Sequence, residues 1–261
     1  MSDLLELAVL AATDAGATIL GLYRKHLTVE FKGDGSPVTT ADQWANRVIL
    51  DKLAISNIPV VSEECDDLRL QSRRYWLVDP LDGTKDFLAG NDEFSVNIAL
   101  IVDDAPVLGV VYAPALDELY SGSVGLGARR TKAGVSYEMT TMPRVSRCRM
   151  AVSRFHDHPD VEIFAKCNGI ETRVAIGSAL KYGQLAANAV DVFPRLVGCS
   201  EWDTAAGQAV LEAAGGMVVD WHTGLPLRYG KTGRRNPRLL ALRAPFTVSD
   251  FKLKTYQAEL L

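Results

Sequence analysis

The sequence predicts an α+β fold in which two β-sheets alternate with layers of helices. Apolar residues recur at helical spacing through the first fifty residues. Short apolar segments separated by turns follow to about residue 121, a pattern typical of a largely antiparallel sheet. Beyond about residue 143, strand-like and helix-like segments alternate, which indicates a second sheet covered by helices.

The first half of the chain is predicted to contain two helices followed by five strands. A long amphipathic helix is expected over residues 4–25, and a second over 41–55 that begins at Thr39, Thr40 or Asp42, because these side chains cap helices. The five strands are expected at residues 59–62, 75–79, 94–102, 107–112 and 118–121.

The second half is predicted to alternate strands and helices. Strands are expected near residues 150–153, 172–176, 190–193 and 217–220, and helices near 159–167, 178–189 and 202–214. We find no internal repeat and no low-complexity linker. We therefore expect one unit in two lobes, residues 1–145 and residues 146–261.

Composition excludes some classes of function. The chain has 261 residues and a net charge of −4, which argues against non-specific nucleic-acid binding. The start lacks the basic residues of a signal peptide, and no apolar run is expected to span a bilayer. We expect a cytoplasmic protein, with peripheral association at the inner face of the cell membrane as an alternative. The four cysteines are widely spaced, which is typical of reduced thiols.

An apolar, strand-like segment ends in closely spaced acids at residues 76–84. Asp79 and Asp82 are costly to bury together unless a cation neutralises them. Pro80 bends the chain and can turn the Leu81 carbonyl toward the space between the two acids. Three oxygen ligands for a hard cation then lie within four residues.

Gly83 and Thr84 follow these acids directly. Glycine lets the backbone approach a ligand closely, and a helix beginning at Thr84 would offer free N–H groups to a phosphate. Together with the acids, this predicts metal-assisted attack on a phosphate ester.

Four other segments place acids or hydroxyls at strand ends and helix starts: Ser62-Glu63-Glu64, Thr39-Thr40-Ala41-Asp42, Ala175-Ile176-Gly177-Ser178, and residues 201–207 with Asp203. Each alone is commonly a helix cap. Their combination with Asp-Pro-Leu-Asp-Gly-Thr favours a catalytic site.

In these motifs and their order the chain resembles the inositol monophosphatase superfamily, the lithium-sensitive, magnesium-dependent phosphomonoesterases. Residues 76–84 are similar to one signature of that superfamily and residues 202–207 to another. The resemblance covers essentially the whole chain. It implies a layered α-β-α-β-α sandwich of the inositol monophosphatase and sugar phosphatase type.

One branch of the superfamily fits best. Inositol phosphatases usually carry Asn-Phe after Asp-Gly-Thr, whereas this chain has Lys85-Asp86-Phe87. Segments 94–100, 109–114, 153–156, 176–181 and 236–237 resemble bacterial 3'(2'),5'-bisphosphate nucleotidases of the CysQ type. That branch converts 3'-phosphoadenosine 5'-phosphate to AMP and phosphate. The basic segment 234–238 departs from its pattern.

The resemblance implies a magnesium site for two or three ions. Its ligands would be Glu63, Asp79, Asp82, Asp203 and the Leu81 carbonyl. The four carboxylates balance the charge of two Mg²⁺. We prefer Glu63 to Glu64 because it is the first acid after the strand and matches the family ligand, while Glu64 points the other way.

The resemblance also implies the catalytic residues. Asp42 accepts the Thr84 hydroxyl proton, Thr84 accepts one from a water activated by the metal, and Glu63 steadies that water. The water attacks phosphorus in line, without a covalent phosphoenzyme. The N–H groups of Gly83 and Thr84 hold the phosphate oxygens.

The remaining substrate contacts are implied for cationic and small residues. Gly177 and Ser178 offer a helix-start site, and Lys181 would meet a second phosphate. Arg195 could pair with the 5'-phosphate, and His156 could approach the base or a phosphate. Asp203 is expected to border the substrate as well as the metal. We expect one catalytic unit, with the metal site in the lobe 1–145 and the substrate-binding residues and Asp203 in the lobe 146–261. We expect a monomer bound to a small bisphosphate nucleotide, although the inositol branch suggests a dimer.

Three other functions compete. A haloacid-dehalogenase-type phosphatase needs Asp-x-Asp-Gly-Thr, but two residues separate Asp79 from Asp82, which places the second acid on the wrong side of an extended strand. An inositol-1-monophosphatase needs no pocket for a second phosphate, so Lys181 and Lys85-Asp86 disfavour it. A non-catalytic regulator that binds bisphosphate nucleotides would tolerate the loss of Asp42 or Thr84. The presence of all the metal ligands argues against this function.

Overall fold

Two β-sheets and three helical layers alternate in the protein, which confirms the predicted fold class. The computed structural model describes residues 1–25, 29–31, 33, 37–65, 72–155 and 158–253. The six α-helices in these ranges are α1 (Ser2–Leu22), α2 (Thr40–Leu53), α3 (Thr84–Leu88), α4 (Pro159–Cys167), α5 (Leu180–Ala186) and α6 (Trp202–Ala213).

Most of the strands belong to two sheets. The first, in the order β3 to β9, contains β3 (Val60–Ser62), β4 (Arg74–Asp82), β5 (Ser95–Val102), β6 (Ala105–Ala113), β7 (Glu118–Ser123), β8 (Gly127–Lys132) and β9 (Val135–Met139). The second, in the order β11-β10-β12-β16-β14, contains β10 (Arg149–Ser153), β11 (Thr172–Ile176), β12 (Val192–Arg195), β14 (Met217–Asp220) and β16 (Leu239–Leu242). Two short pairs are β1 (Val29–Phe31) with β2 (Pro37–Thr39), and β13 (Cys199–Ser200) with β15 (Arg235–Asn236).

Helices α1 and α2 cover one face of the first sheet. Their fully buried residues recur every three or four positions, as in Ala8, Ala11, Ala15 and Ile19 of α1. These small side chains pack with alternate sheet residues such as Val78 in one apolar core.

Helices α5 and α6 fill the space between the two sheets. Leu77 on the first sheet, Leu180 and Val210 on the helices, and Ala241 on the second sheet belong to one continuous core. The far face of the second sheet packs against α4 through a third core that includes Phe164. The layer order is therefore α-β-α-β-α.

The element predictions were good to a few residues, with some omissions. The pattern missed β8 and β9, whose side chains are largely exposed, and it missed β16 and the two short pairs. The helix predicted over 178–189 is shorter and begins at Leu180, because Ser178 has a positive φ of 45°. The proposed lobe boundary near residue 145 falls between β9 and β10 and stays a prediction.

The expectation that no apolar run could span a bilayer was wrong by length and composition. Helix α1 is long and apolar enough to do so. The core helix of a folded protein can have the same length and apolar composition. One face of α1 packs against α2 and the first sheet through small buried residues such as Ala12. We interpret α1 as a core helix.

Candidate active site

A β-bulge in β4 brings Asp79 and Asp82 to the same face of the first sheet. Asp79 pairs with Asn97 on β5 and Asp82 with Ser95, so two residues on β4 oppose one on β5. Positions 95 and 97 share a face, and their cross-strand partners therefore share it too. Asn97 Nδ2 donates to Asp82 Oδ2 at 3.3 Å.

This bulge corrects one argument from the sequence. We expected the two-residue spacing to put Asp82 on the opposite side of an extended strand from Asp79. The extra residue absorbed by the bulge cancels that reversal. The spacing alone therefore does not decide against an aspartyl-phosphate enzyme.

Asp79 is a buried acid surrounded by other acids. Its side chain is 2% exposed, and its Oδ1 accepts a hydrogen bond from the Leu81 N–H at 3.1 Å. Among the described residues, none with a basic side chain lies within ion-pair distance of it. Burial, and then the charges of Glu63, Asp82 and Asp203, raise the pKa of Asp79 well above its usual value.

Glu63 enters the cleft from the end of β3. This strand is parallel to β4, and the Glu63 N–H donates to the Val78 carbonyl at 3.1 Å, which extends the strand pairing by one residue. Glu63 lines the cleft, whereas Glu64 does not. The choice of Glu63 as a metal ligand stays a prediction.

Asp42 lies behind Thr84, at the start of α2. Its Oδ2 accepts hydrogen bonds from the Thr39 N–H at 2.8 Å and the Thr39 hydroxyl at 2.7 Å, which completes a capping box. Its Oδ1 is 3.3 Å from the Thr84 hydroxyl, which lies at the same distance from the Leu81 carbonyl. Burial raises the pKa of Asp42 to about 6, although the Thr39 hydrogen bonds oppose that rise.

Asp203 joins the same cluster from the first turn of α6. Its Oδ2 accepts from the Ser200 N–H at 3.1 Å and from Arg195 Nη2 at 3.3 Å. Burial raises its pKa to about 7, against the opposing effect of Arg195. Arg195 is thus already paired with Asp203, which is a predicted metal-binding residue. Its buried Nε has no partner among the described residues.

Lys181 is buried rather than solvated. It is 3% exposed, and its Nζ donates to the carbonyls of Ile176 and Ser178, both at 2.8 Å. Burial, and then the charge of Arg195, lower its pKa to about 8. An ammonium group has three donors, so one remains for a ligand in this arrangement.

Gly177 already has a hydrogen-bond partner. Its N–H donates to Glu93 Oε2 at 2.7 Å, and Glu93 also binds Arg154 at 2.7 Å. Arg154 extends to Asp86, with Nε 3.6 Å from Oδ1. These contacts connect the ends of β10 and β11 in the second sheet to α3 and the loop that follows it. The N–H of Gly177 is not free for a phosphate in this arrangement.

A single cleft of about 440 Å³ collects most of the predicted residues. Those that line it are Glu63, Asp79, Leu81, Asp82, Gly83, Thr84, Gly177, Ser178, Lys181, Arg195 and Asp203. Asp42 lies behind Thr84, outside this lining, and His156 lies outside the described residues.

Arg154, Phe155 and Arg235 are among the residues that line the cleft but were not predicted from the sequence as site residues. Arg154 and Phe155 stand in the segment 153–156 from which only His156 was chosen. Arg235 stands in the basic segment 234–238, whose unusual charge was the available signal.

The donors in the cleft suit a hard divalent cation. In the described ranges, no group of three or more His, Cys, Asp or Glu side chains already has the arrangement of a metal site. The proposed donor set is nevertheless entirely oxygen, and burial, followed by the charges of the neighbouring acids, raises the pKa of Asp79. Such a cluster is the environment in which Mg²⁺ replaces protons as the counter-charge.

The chain is similar to several proteins of known name. The sequence profile of the inositol monophosphatase family matches residues 1–248. The 3'(2'),5'-bisphosphate nucleotidase CysQ of Escherichia coli (strain K12) is 41% identical over 248 residues, covering 92% of this chain and 97% of that protein. The CysQ of Salmonella typhimurium is 40% identical over 256 residues, covering 95% and 100%.

Solved structures of inositol monophosphatase family members are also similar to this chain. CysQ from Bacteroides thetaiotaomicron, described as a bacterial member of the inositol monophosphatase family, superposes with a TM-score of 0.83 at 33% identity. The match covers 94% of this chain and 98% of that one. An IMPase from Thermotoga maritima gives a TM-score of 0.75 at 25% identity, with 92% of each chain covered.

Proposed function

The chain belongs to the inositol monophosphatase family, and we propose that it is a Mg²⁺-dependent 3'(2'),5'-bisphosphate nucleotidase. Its substrate would be 3'-phosphoadenosine 5'-phosphate, hydrolysed to AMP and phosphate. The observation that carries the proposal is one cleft with acids at its base and basic residues beside them, in a chain about 40% identical to named nucleotidases. We further propose a cytoplasmic monomer that uses two or three Mg²⁺.

The proposed metal-binding groups are Glu63, Asp79, Asp82, Asp203 and the Leu81 carbonyl. Bound Mg²⁺ would lower the pKa of water to make it a nucleophile at neutral pH, and would offset the charge of the phosphate. The acids would also stop phosphate from entering before the cation, because their own charge repels it.

Thr84 and Asp42 are proposed to move the proton. The Thr84 hydroxyl has one proton and two acceptors at 3.3 Å, the Asp42 carboxylate and the Leu81 carbonyl. Of the two, only the carboxylate can keep a proton. With its pKa raised to about 6, Asp42 lies close to the range in which a base works well at neutral pH.

Gly83 and Thr84 are proposed to hold the reacting phosphate through their N–H groups. Gly83 has a φ of +86°, a conformation that a side chain would strain, and an added Cβ would lie 3.3 Å from Ser178. The backbone can therefore approach a bound group here. Lys181 and Arg195, with Ser178, are proposed for the rest of the nucleotide, and Gly177 and His156 stay predictions.

The test compares phosphate release from 3'-phosphoadenosine 5'-phosphate, inositol 1-phosphate and AMP at equal concentration, with and without a chelator. We expect the bisphosphate nucleotide to be hydrolysed fastest and the chelator to abolish release. Preference for the inositol ester would move the protein to the inositol branch. Binding of the nucleotide without release would indicate a non-catalytic regulator.

A further inference from the structure

The basic residues of the cleft differ in the hydrogen-bond and ion-pair partners that they already have. They are Lys85, Arg154, Lys181, Arg195 and Arg235. Arg154 is paired with Glu93 and Asp86, and Arg195 with Asp203. Lys181 is buried against two backbone carbonyls. The charges of Arg154 and Arg195 are therefore partly offset by carboxylates, whereas Lys181 keeps one donor for a ligand.

Arg235 is exposed and has weaker partners. Its Nη1 donates to the Ser200 hydroxyl at 3.1 Å and its Nη2 to the Gly198 carbonyl at 3.4 Å. Both acceptors are neutral, and no carboxylate of the described chain lies within ion-pair distance of Arg235. A phosphate would be a stronger acceptor, because guanidinium and phosphate form paired, charge-assisted hydrogen bonds.

The backbone that carries Arg235 is held firmly. Ser200 and Arg235 are direct partners in the β13–β15 pair, and the Glu201 N–H donates to the Arg234 carbonyl at 2.8 Å. Buried Glu201 binds Lys231 Nζ at 2.6 Å and Arg234 Nη1 at 3.3 Å. The guanidinium therefore projects from a fixed strand, beside the loop that leads to Asp203.

Lys85 is exposed in the cleft and, like Arg235, has no carboxylate among the described residues within ion-pair distance, but its position is different. It follows Thr84 directly in α3, next to the residues proposed for the reacting phosphate. Its ammonium group lacks the planar fork that matches a phosphate at two points. Arg235 instead contacts Gly198 and Ser200, in the segment that precedes Asp203.

We propose that Arg235 binds the second, non-reacting phosphate of the substrate and thereby helps to select bisphosphate nucleotides. This inference rests on the proposed function and adds a specificity residue to it. The residue lies in the basic segment 234–238.

The test uses Arg235→Ala and Arg235→Gln, with 3'-phosphoadenosine 5'-phosphate and adenosine 3'-monophosphate as substrates. The second substrate keeps the reacting phosphate and lacks the other. We expect the KM for the bisphosphate to rise about tenfold or more, with kcat within about twofold of wild type. The KM for the monophosphate should not change. Arg228→Ala removes the same charge from an exposed site outside the cleft and should leave both KM values unchanged.

A wild-type KM for the bisphosphate in both Arg235 variants would overturn the inference, as would an equal rise in KM for both substrates. Circular dichroism and the melting temperature identify a variant that has failed to fold, and the glutamine variant then carries the test. If the wild-type enzyme releases no phosphate from the bisphosphate, the proposed function fails instead, so the two failures are distinct.

Discussion

Asp79 and Asp203 show most clearly what single residues contribute to this cleft. Each is held where burial and neighbouring acids raise its pKa, and each would be costly to ionise without a counter-charge. Evolution of a purely structural core would favour neutral residues there. The proposed magnesium site accounts for their presence, because a bound cation would replace their protons as the counter-charge.

Asp82→Asn tests this directly. We expect kcat to fall by at least about a hundredfold, because one of the proposed cation ligands loses its charge. The melting temperature of the metal-free protein should stay equal or rise, since the charge of Asp82 disfavours ionisation of Asp79. The measurements are steady-state kinetics and thermal unfolding in a chelator.

The matched control for this change is Asp51→Asn, on the exposed side of α2. It removes one carboxylate far from the acid cluster and should keep wild-type activity. Near-full activity in Asp82→Asn would contradict the metal-binding role.

At the scale of elements, two local irregularities build the site. The bulge in β4 turns a spacing that would separate Asp79 from Asp82 into one that aligns them. The capping box of α2 uses one carboxylate oxygen of Asp42 to hold the helix start and leaves the other facing Thr84. One side chain therefore links helix stability to the proposed proton transfer.

Thr39→Ala should disturb both roles of Asp42. Loss of an N-cap side chain costs about 1 kcal/mol of unfolding free energy. Because the Thr39 hydroxyl also donates to Asp42 at 2.7 Å, we expect kcat to fall more than KM changes. Denaturant unfolding and kinetics measure the two effects.

Thr39→Ser keeps the hydroxyl and should restore both stability and kcat. If the alanine variant lost stability while kcat stayed at the wild-type value, Asp42 would be a helix cap without a catalytic role.

At the scale of the whole molecule, the cleft is assembled from both sheets and the helices between them. Glu63 and Asp79 come from the first sheet, Arg195 from the second, and Asp203 from α6. Arg154, which follows β10 of the second sheet, pairs at 2.7 Å with Glu93, which precedes β5 of the first sheet. Binding a cation among these acids should therefore stabilise the whole fold.

The pH dependence of that stabilisation has a definite direction. Asp42 and Asp203 have folded-state pKa values of about 6 and about 7 against 3.8 for a free aspartate, and that of Asp79 is also raised. The folded protein keeps protons that the unfolded chain releases. The stability from these groups is complete below about pH 4 and is lost as the pH rises to about 7.

Mg²⁺ should replace that lost stability. Near pH 7.5 we expect saturating Mg²⁺ to raise the melting temperature by roughly 5 °C or more. Near pH 5 the gain should be much smaller, because protons compete for the same oxygens. Thermal unfolding at each pH, with Mg²⁺ and with a chelator, measures this gain in melting temperature. An equal gain at both values, or none, would contradict the acid cluster as the binding site.

The sequence by itself determined the fold class, the bounds of most helices and strands to within a few residues, and most of the predicted residues that line the cleft. These follow from local patterns: helical spacing in α1 and α2, an apolar strand ending in Asp79, and a capping residue before Asp42. Strands β8 and β9 were not predicted, because their largely exposed side chains do not show the alternation of apolar and polar residues that indicates a strand.

Only the tertiary structure decided which side chains are free to bind a ligand. It placed Lys181 against backbone carbonyls, paired Arg195 with Asp203, and left Arg235 exposed with neutral partners. It also introduced the bulge that aligns Asp79 with Asp82. The physical reason is that burial and pairing depend on residues distant in the chain, whereas residue spacing records only what neighbours along the chain can do.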